Sequence, residues 1–282
     1  MNTQSSDTRQ ARHGDEHFAI GLARAFGGAL IFSLPMLMTM ELWQLGFYID
    51  PLRLALLLLI FFPLLITLSH RFGFEETVRW LDDALDAFVA YAVGFITAGL
   101  ILLLFAVLLF GMSLAEIINK ISVQAVPASI GAVLARSQFG KNKPKQQGKE
   151  QPSGYSDELF LMVIGALFLS FNMAPTEEIV LISYQITRWH AIALVLASII
   201  MMHAFVYAVE FKGQVAIPPH MPLWSVFLRF TIVGYAIALL ISLYILWTFN
   251  QIENMSMERV IMAVIVLSFP AAIGAAAARL IL

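Results

Sequence analysis

Glu177 and Glu178 follow a proline inside SFNMAPTEEIVLIS, residues 170–183, one of the most apolar stretches of the chain. An ionised carboxylate in hydrocarbon is costly, so it calls for a partner, a water path or a task. Glu41 stands in a second stretch of the same kind. GALIFSLPMLMTME, residues 28–41, lies over GALFLSFNMAPTEE, residues 165–178, without a gap. Gly28, Ala29, Leu30, Ser33, Met36, Thr39 and Glu41 meet identical residues there. Each Thr-x-Glu follows a proline, Pro35 or Pro175. Proline removes a helical hydrogen bond, and in a membrane the freed carbonyls must find other partners. A carboxylate beside such a kink is a candidate cation or proton site. Its ligands would be Glu41, Glu177 and Glu178, with neutral oxygens from Thr39, Thr176 and Asn172. A set of oxygens suits hard cations, and carboxylates also exchange protons.

Two plainer readings stand beside this one. Pro175-Thr176-Glu177-Glu178 also reads as a helix start, with acids in the first turn where the helix dipole favours them. The glutamates would then be wet, on a short helix at the outer surface. Alternatively, a carboxyl is bonded to Thr or Tyr on another helix. His203, inside SIIMMHAFVYAVEF, is a candidate proton relay; a neutral ring with one interhelical hydrogen bond is the competing reading.

No other constellation offers chemistry. There is no HExxH, P-loop, GxSxG or His/Asp cluster at metal-ligand spacing. The chain has no cysteine, which excludes disulfides, thiol catalysis and thiolate metal sites. No catalytic residue, metal site or cofactor is expected, and nothing argues for an enzyme. The formal net charge of −2 gives no reason to expect nucleic acid as a partner.

The elements that must position these residues are helices in a bilayer. Of the 282 residues, 60% are hydrophobic and only 13% charged, far from the balance of a soluble domain. Apolar runs of about 20 residues recur. The expected class is all-α, a polytopic membrane bundle of eight transmembrane helices. They are placed near residues 17–47, 51–72, 85–110, 114–136, 158–186, 188–211, 223–249 and 255–282. The helix at 114–136 is ambiguous, because Glu116, Asn119, Lys120 and Gln124 make its first half amphipathic enough to lie at the interface. Residues 1–16 are polar and expected to be disordered. Residues 74–88 read as an interfacial helix. Residues 137–157 form a lysine-rich linker. Lys141, Lys143, Lys145 and Lys149 share a side with Arg9, Arg12, Arg71, Arg79 and Lys212, so the positive-inside rule puts both termini and the linker in the cytoplasm of a plasma (inner) membrane protein.

The recurrence extends further. VPASIGAVLAR, residues 126–136, lies over FPAAIGAAAAR, residues 269–279, and Met112-Ser113 falls on Met255-Ser256 in that register. Two parallel four-helix repeats follow, residues 17–136 and 158–282, related by an axis along the membrane normal. The small residues of the second pattern suit close helix contacts. At the GALxxSxxMxxTxE and PAxIGAxxAR patterns the chain resembles an uncharacterised family of bacterial polytopic integral membrane proteins of similar length. The resemblance covers the chain after its polar N-terminus and implies no activity.

The expectation is a small-ion channel or transporter, for a cation or coupled to protons, with repeated glutamates near the repeat interface. The alternative is a non-transporting scaffold, sensor or assembly factor. The partners are the lipid bilayer, a small cation or proton, and a second copy or another membrane protein.

Overall fold

The computed structural model describes residues 4–72, 80–109, 111–139, 154–208 and 223–281. Most of the lysine-rich linker, and the first part of the segment at 74–88, lie outside them. The described elements are all helical. The chain forms two compact units, Met1–Gln146 and Gln147–Leu282, divided within the linker.

The first unit comprises α1 (Gln4–Leu37), α2 (Met40–Tyr48), α3 (Pro51–Phe72), α4 (Trp80–Leu104) and α5 (Leu114–Phe139). The second comprises α6 (Tyr155–Met173), α7 (Glu177–Gln185), α8 (Arg188–Ala208), α9 (Leu223–Val226), a π-helical turn (Phe227–Ile232), α10 (Val233–Thr248) and α11 (Met257–Ile281). Six helices are long and apolar enough to cross a membrane, and α1 with α2 makes a seventh candidate bent by 84°. The apolar part of α8, Arg188–Ala204, is shorter.

Four sequence expectations change. The helix expected at 17–47 is two, α1 and α2, and that at 158–186 is also two, α6 and α7. Helix α1 begins at Gln4, within the stretch expected to be disordered. No proline interrupts that stretch, so a helix nucleated in the apolar segment can propagate backward through it. The helix expected at 223–249 contains the π-helical turn.

The ambiguity over the helix at 114–136 resolves inward. Helices α1, α2, α3 and α4 all pack on α5, and every residue from Ser122 to Leu134 is buried. Helix α11 has the same role in the second unit, packed by α6, α7, α8 and α10. The recurring patterns explain how the helices approach so closely. A Cβ on Gly131 would collide with the Gly28 carbonyl oxygen of α1, and one on Gly274 with the Gly165 carbonyl oxygen of α6. Small residues bring backbones together where lipid leaves packing as the main attraction. Helices α4 and α10 also end alike. Ala106 and Asn250 take left-handed conformations, φ 55° and 62°. The next N–H then turns back, Val107 to Leu102 O at 2.9 Å and Gln251 to Leu246 O at 3.0 Å, which satisfies carbonyls the helix leaves open.

Candidate functional site

Both breaks are built from the same parts. Thr39, between α1 and α2, is extended (φ −87°, ψ 121°), as is Thr176 before α7 (φ −79°, ψ 143°). Neither hydroxyl caps the helix that follows. Thr39 Oγ1 donates back to Met36 O at 2.6 Å, and Thr176 Oγ1 to Met173 O at 2.8 Å. The carbonyls beside each break are taken further by long side chains. Trp43 Nε1 donates to Leu37 O at 2.6 Å, and Gln124 Nε2 reaches Met36 O at 3.5 Å. In the second unit Gln251 Nε2 donates to Pro175 O at 3.2 Å. Asn172 Nδ2 donates to Phe168 O at 3.1 Å, one turn before the break.

The carboxylates take the helix-start arrangement. Glu41 lies half-buried in the first turn of α2, and Glu177 and Glu178 lie exposed in the first turn of α7. The dipole favours acids there. Each unit thus gathers its own Thr, Glu and break; Asn172 sits on α6, short of the second one.

A denser polar cluster lies under α2. Lys120 of α5 is 2% exposed. Its Nζ stands 2.7 Å from Glu116 Oε1, one turn earlier. It also stands 4.1 Å from the centre of the Phe47 ring and 3.9 Å from Met112 Sδ. Glycine is required at 46, because a Cβ there would overlap the lysine stem. Asn119 Nδ2 donates to Gly46 O at 3.2 Å. Gln124, one more turn along, is fully buried, and its Oε1 has no hydrogen-bond partner among the described residues. Buried charge in a membrane survives only when paired, and here the pair lies within one turn of α5 under the nine-residue helix α2.

In the second unit the corresponding cation is Arg259 of α11. Its Nη1 donates to Ser183 O at 3.0 Å and reaches Tyr184 O at 3.5 Å, both at the end of α7. Its guanidinium lies 4.8 Å from the centre of the Tyr184 ring.

A family profile described as "Putative integral membrane protein (DUF2391)" matches residues 21–282. The chain belongs to this family. No curated protein and no solved structure matches it. Membership in DUF2391 agrees with the multi-span reading and leaves the polar groups to speak for themselves.

His203 of α8 makes an interhelical contact. Its Nδ1 is 3.2 Å from Thr231 Oγ1, on the π-helical turn, and its ring meets Phe227 edge-on at 5.2 Å. π-helical turns are frequent at functional sites, and this one had no signal in the sequence. His70 Nδ1 lies 2.7 Å from Asp83 Oδ2, joining the end of α3 to the start of α4. Among the described residues no three His, Asp or Glu side chains converge to hold a metal ion. The sequence marked Glu116, Lys120 and Gln124 only as an amphipathic face. Their i, i+4, i+8 spacing was the available signal, since it puts them on one stripe.

Proposed function

We propose that this DUF2391 member is a small-ion channel or transporter, moving a cation or coupled to protons. Glu41, Glu177 and Glu178 are its carboxylates. Eight spans, with α8 among them, form two parallel repeats in the plasma (inner) membrane, both termini cytoplasmic by the positive-inside rule. The observation that carries the reading is the 84° break between α1 and α2, bearing Glu41 on the first turn beyond it. Interrupted spans in corresponding positions of two halves point to a transport site. The second break, with Glu177 and Glu178 next to it, supports the same reading. Thr39 and Thr176 retain acceptor lone pairs although their hydrogens are engaged, and Asn172 keeps its carbonyl oxygen. His203 would pass protons if the cargo is a proton.

One observation favours the scaffold reading instead. Thr39, Trp43, Gln124, Thr176 and Gln251 satisfy the break carbonyls from within the chain, so the breaks hold without an ion. Flux in proteoliposomes decides between them, testing H⁺, K⁺, Na⁺ and Ca²⁺ separately. Transport predicts flux of at least one ion, lost in a folded Glu41→Gln/Glu178→Gln variant. Silence for all four ions would favour the scaffold.

A further inference from the structure

We propose that the first unit binds a buried water molecule where α1, α4 and α5 meet, held between Thr97 Oγ1 and Gln124 Oε1. The water ties the α1–α2 break to α4. On the transport reading it would give a proton a group to exchange with beside the break, but the site stands on packing and is tested without flux.

Three observations carry it. First, both atoms are buried with no hydrogen-bond partner among the described residues. Thr97 is 3% exposed and Gln124 0%, and a polar atom left unpaired at such depth is costly. Ser33 and Ser129 of the same unit bond a carbonyl one turn back on their own helices; Thr97 does not. Second, the two side chains belong to one place. Gly94 of α4 faces α5, where a Cβ would lie 2.8 Å from Ala125 O, and Gly99 faces Ile121. The two helices therefore run antiparallel, and Thr97 falls level with Gln124. Tyr91, whose hydroxyl donates to Leu58 O of α3, fixes how α4 is turned. Tyr91 and Thr97 stand roughly 60° to opposite sides of the Gly94 direction, so Thr97 is turned away from α3. Gln124 is turned to α1, since its Nε2 reaches Met36 O, and α1 packs on both α4 and α5. Third, the packing loosens at this level. A Cβ at Gly94 would collide with the α5 backbone, whereas one at Gly99 would meet only Ile121 Cδ1, at 3.6 Å. The helices part over the turn that holds Thr97. The ligand class follows from the atoms. A hydroxyl can donate and an amide oxygen can only accept, so a water accepts from Thr97 and donates to Gln124. Two polar partners suffice for a buried water. Two neutral oxygens without a carboxylate do not hold a hard cation, and the neighbouring Lys120 is engaged by Glu116.

The test uses the full chain in nanodiscs with isotope-labelled glutamine. The Gln124 side-chain amide is assigned through its own backbone. Rotating-frame NMR separates dipolar contact from proton exchange by sign. It should show a long-lived water beside that amide in wild type and none in Thr97→Val. Melting reads the same bridge. Thr97→Val keeps the shape of the side chain but strands Gln124 Oε1, so it should melt below wild type. Gln124→Met should do so as well. The double variant should melt no lower than Gln124→Met alone, because a bridge already broken cannot be lost again. Additive losses, or Thr97→Val melting at or above wild type, overturn the proposal. So does coupling without the water signal, which would mean a direct bond between the two side chains. If Gln124→Met does not fold, loss of the water signal in Thr97→Val supports the proposal and its persistence overturns it.

Discussion

The two units solve one problem, holding a short helix against a central one, with different cations. In the first unit α2 is held by Asn119 on the Gly46 carbonyl and by Lys120 under the Phe47 ring. In the second, Arg259 alone takes the Ser183 carbonyl and the Tyr184 ring. Setting Met112-Ser113 over Met255-Ser256 puts Arg259 at the place of Glu116. Setting Glu41 over Glu178 puts Gly46 on Ser183 and Phe47 on Tyr184. The carbonyl and the ring therefore keep their places while the cation moves by a turn. Arginine has five donors in a planar fork, so it can bind carbonyls while lying against a ring. The carbonyl end of α7 also carries partial negative charge, which suits it. Lysine is a point charge buried more deeply, and it needs a carboxylate of its own. The second unit thus has a latch; the first has a latch and a counter-ion pair.

The crossing glycines give the largest test of how alike the units are. Gly131→Leu and Gly274→Leu should each prevent stable folding, since both drive a side chain into a facing backbone, at a cost of about 3 kcal/mol or more. Comparable loss of folded protein on size-exclusion chromatography would support equivalent crossings, and tolerance of either variant would break the comparison. The cations should separate the units. Lys120→Ala leaves Glu116 unpaired in a buried setting and should cost about 3 kcal/mol. Arg259→Ala, at a half-buried site, should cost about 1 kcal/mol. Chemical denaturation in detergent micelles measures both, and the opposite order would refute the contrast drawn here. Thr39→Val and Thr176→Val should then cost about 1 kcal/mol each, read from the same curves, because each removes one hydroxyl bond to a break carbonyl. A cost confined to one unit would mean that the breaks are not equivalent. Arg188→Ala provides the baseline. Its pair with Glu258 is exposed, 80% and 57% for the two side chains. Its loss should change stability by less than about 0.5 kcal/mol.

Much of this architecture was legible in the residues. Apolar runs marked most of the helices, and the small residues of the PAxIGA patterns marked α5 and α11 for close helix contacts without naming α1 and α6 as the partners. Pro175-Thr176-Glu177-Glu178 already carried the helix-start signal that the structure follows. The break at Met38 was read only as a kink at Pro35 within one helix, because Leu-Met-Thr-Met continues the apolar pattern beyond it. The stripe of Glu116, Lys120 and Gln124 was visible but left open between a span and the membrane surface. An amphipathic spacing says that one face is polar, not what covers it, and the cover, α2, lies about seventy residues earlier.

That separation along the chain bears on how the protein is made. The cover of Lys120 leaves the ribosome long before Lys120 does, and α5 enters the bilayer carrying a lysine that is costly if it meets lipid alone. The favourable course is for α1 and α2 to wait beside the insertion channel and receive α5 directly. The bare backbone at Gly46 is the berth for the lysine stem, so biogenesis of the first unit ends in a handover between helices, with the last one to arrive closing the assembly.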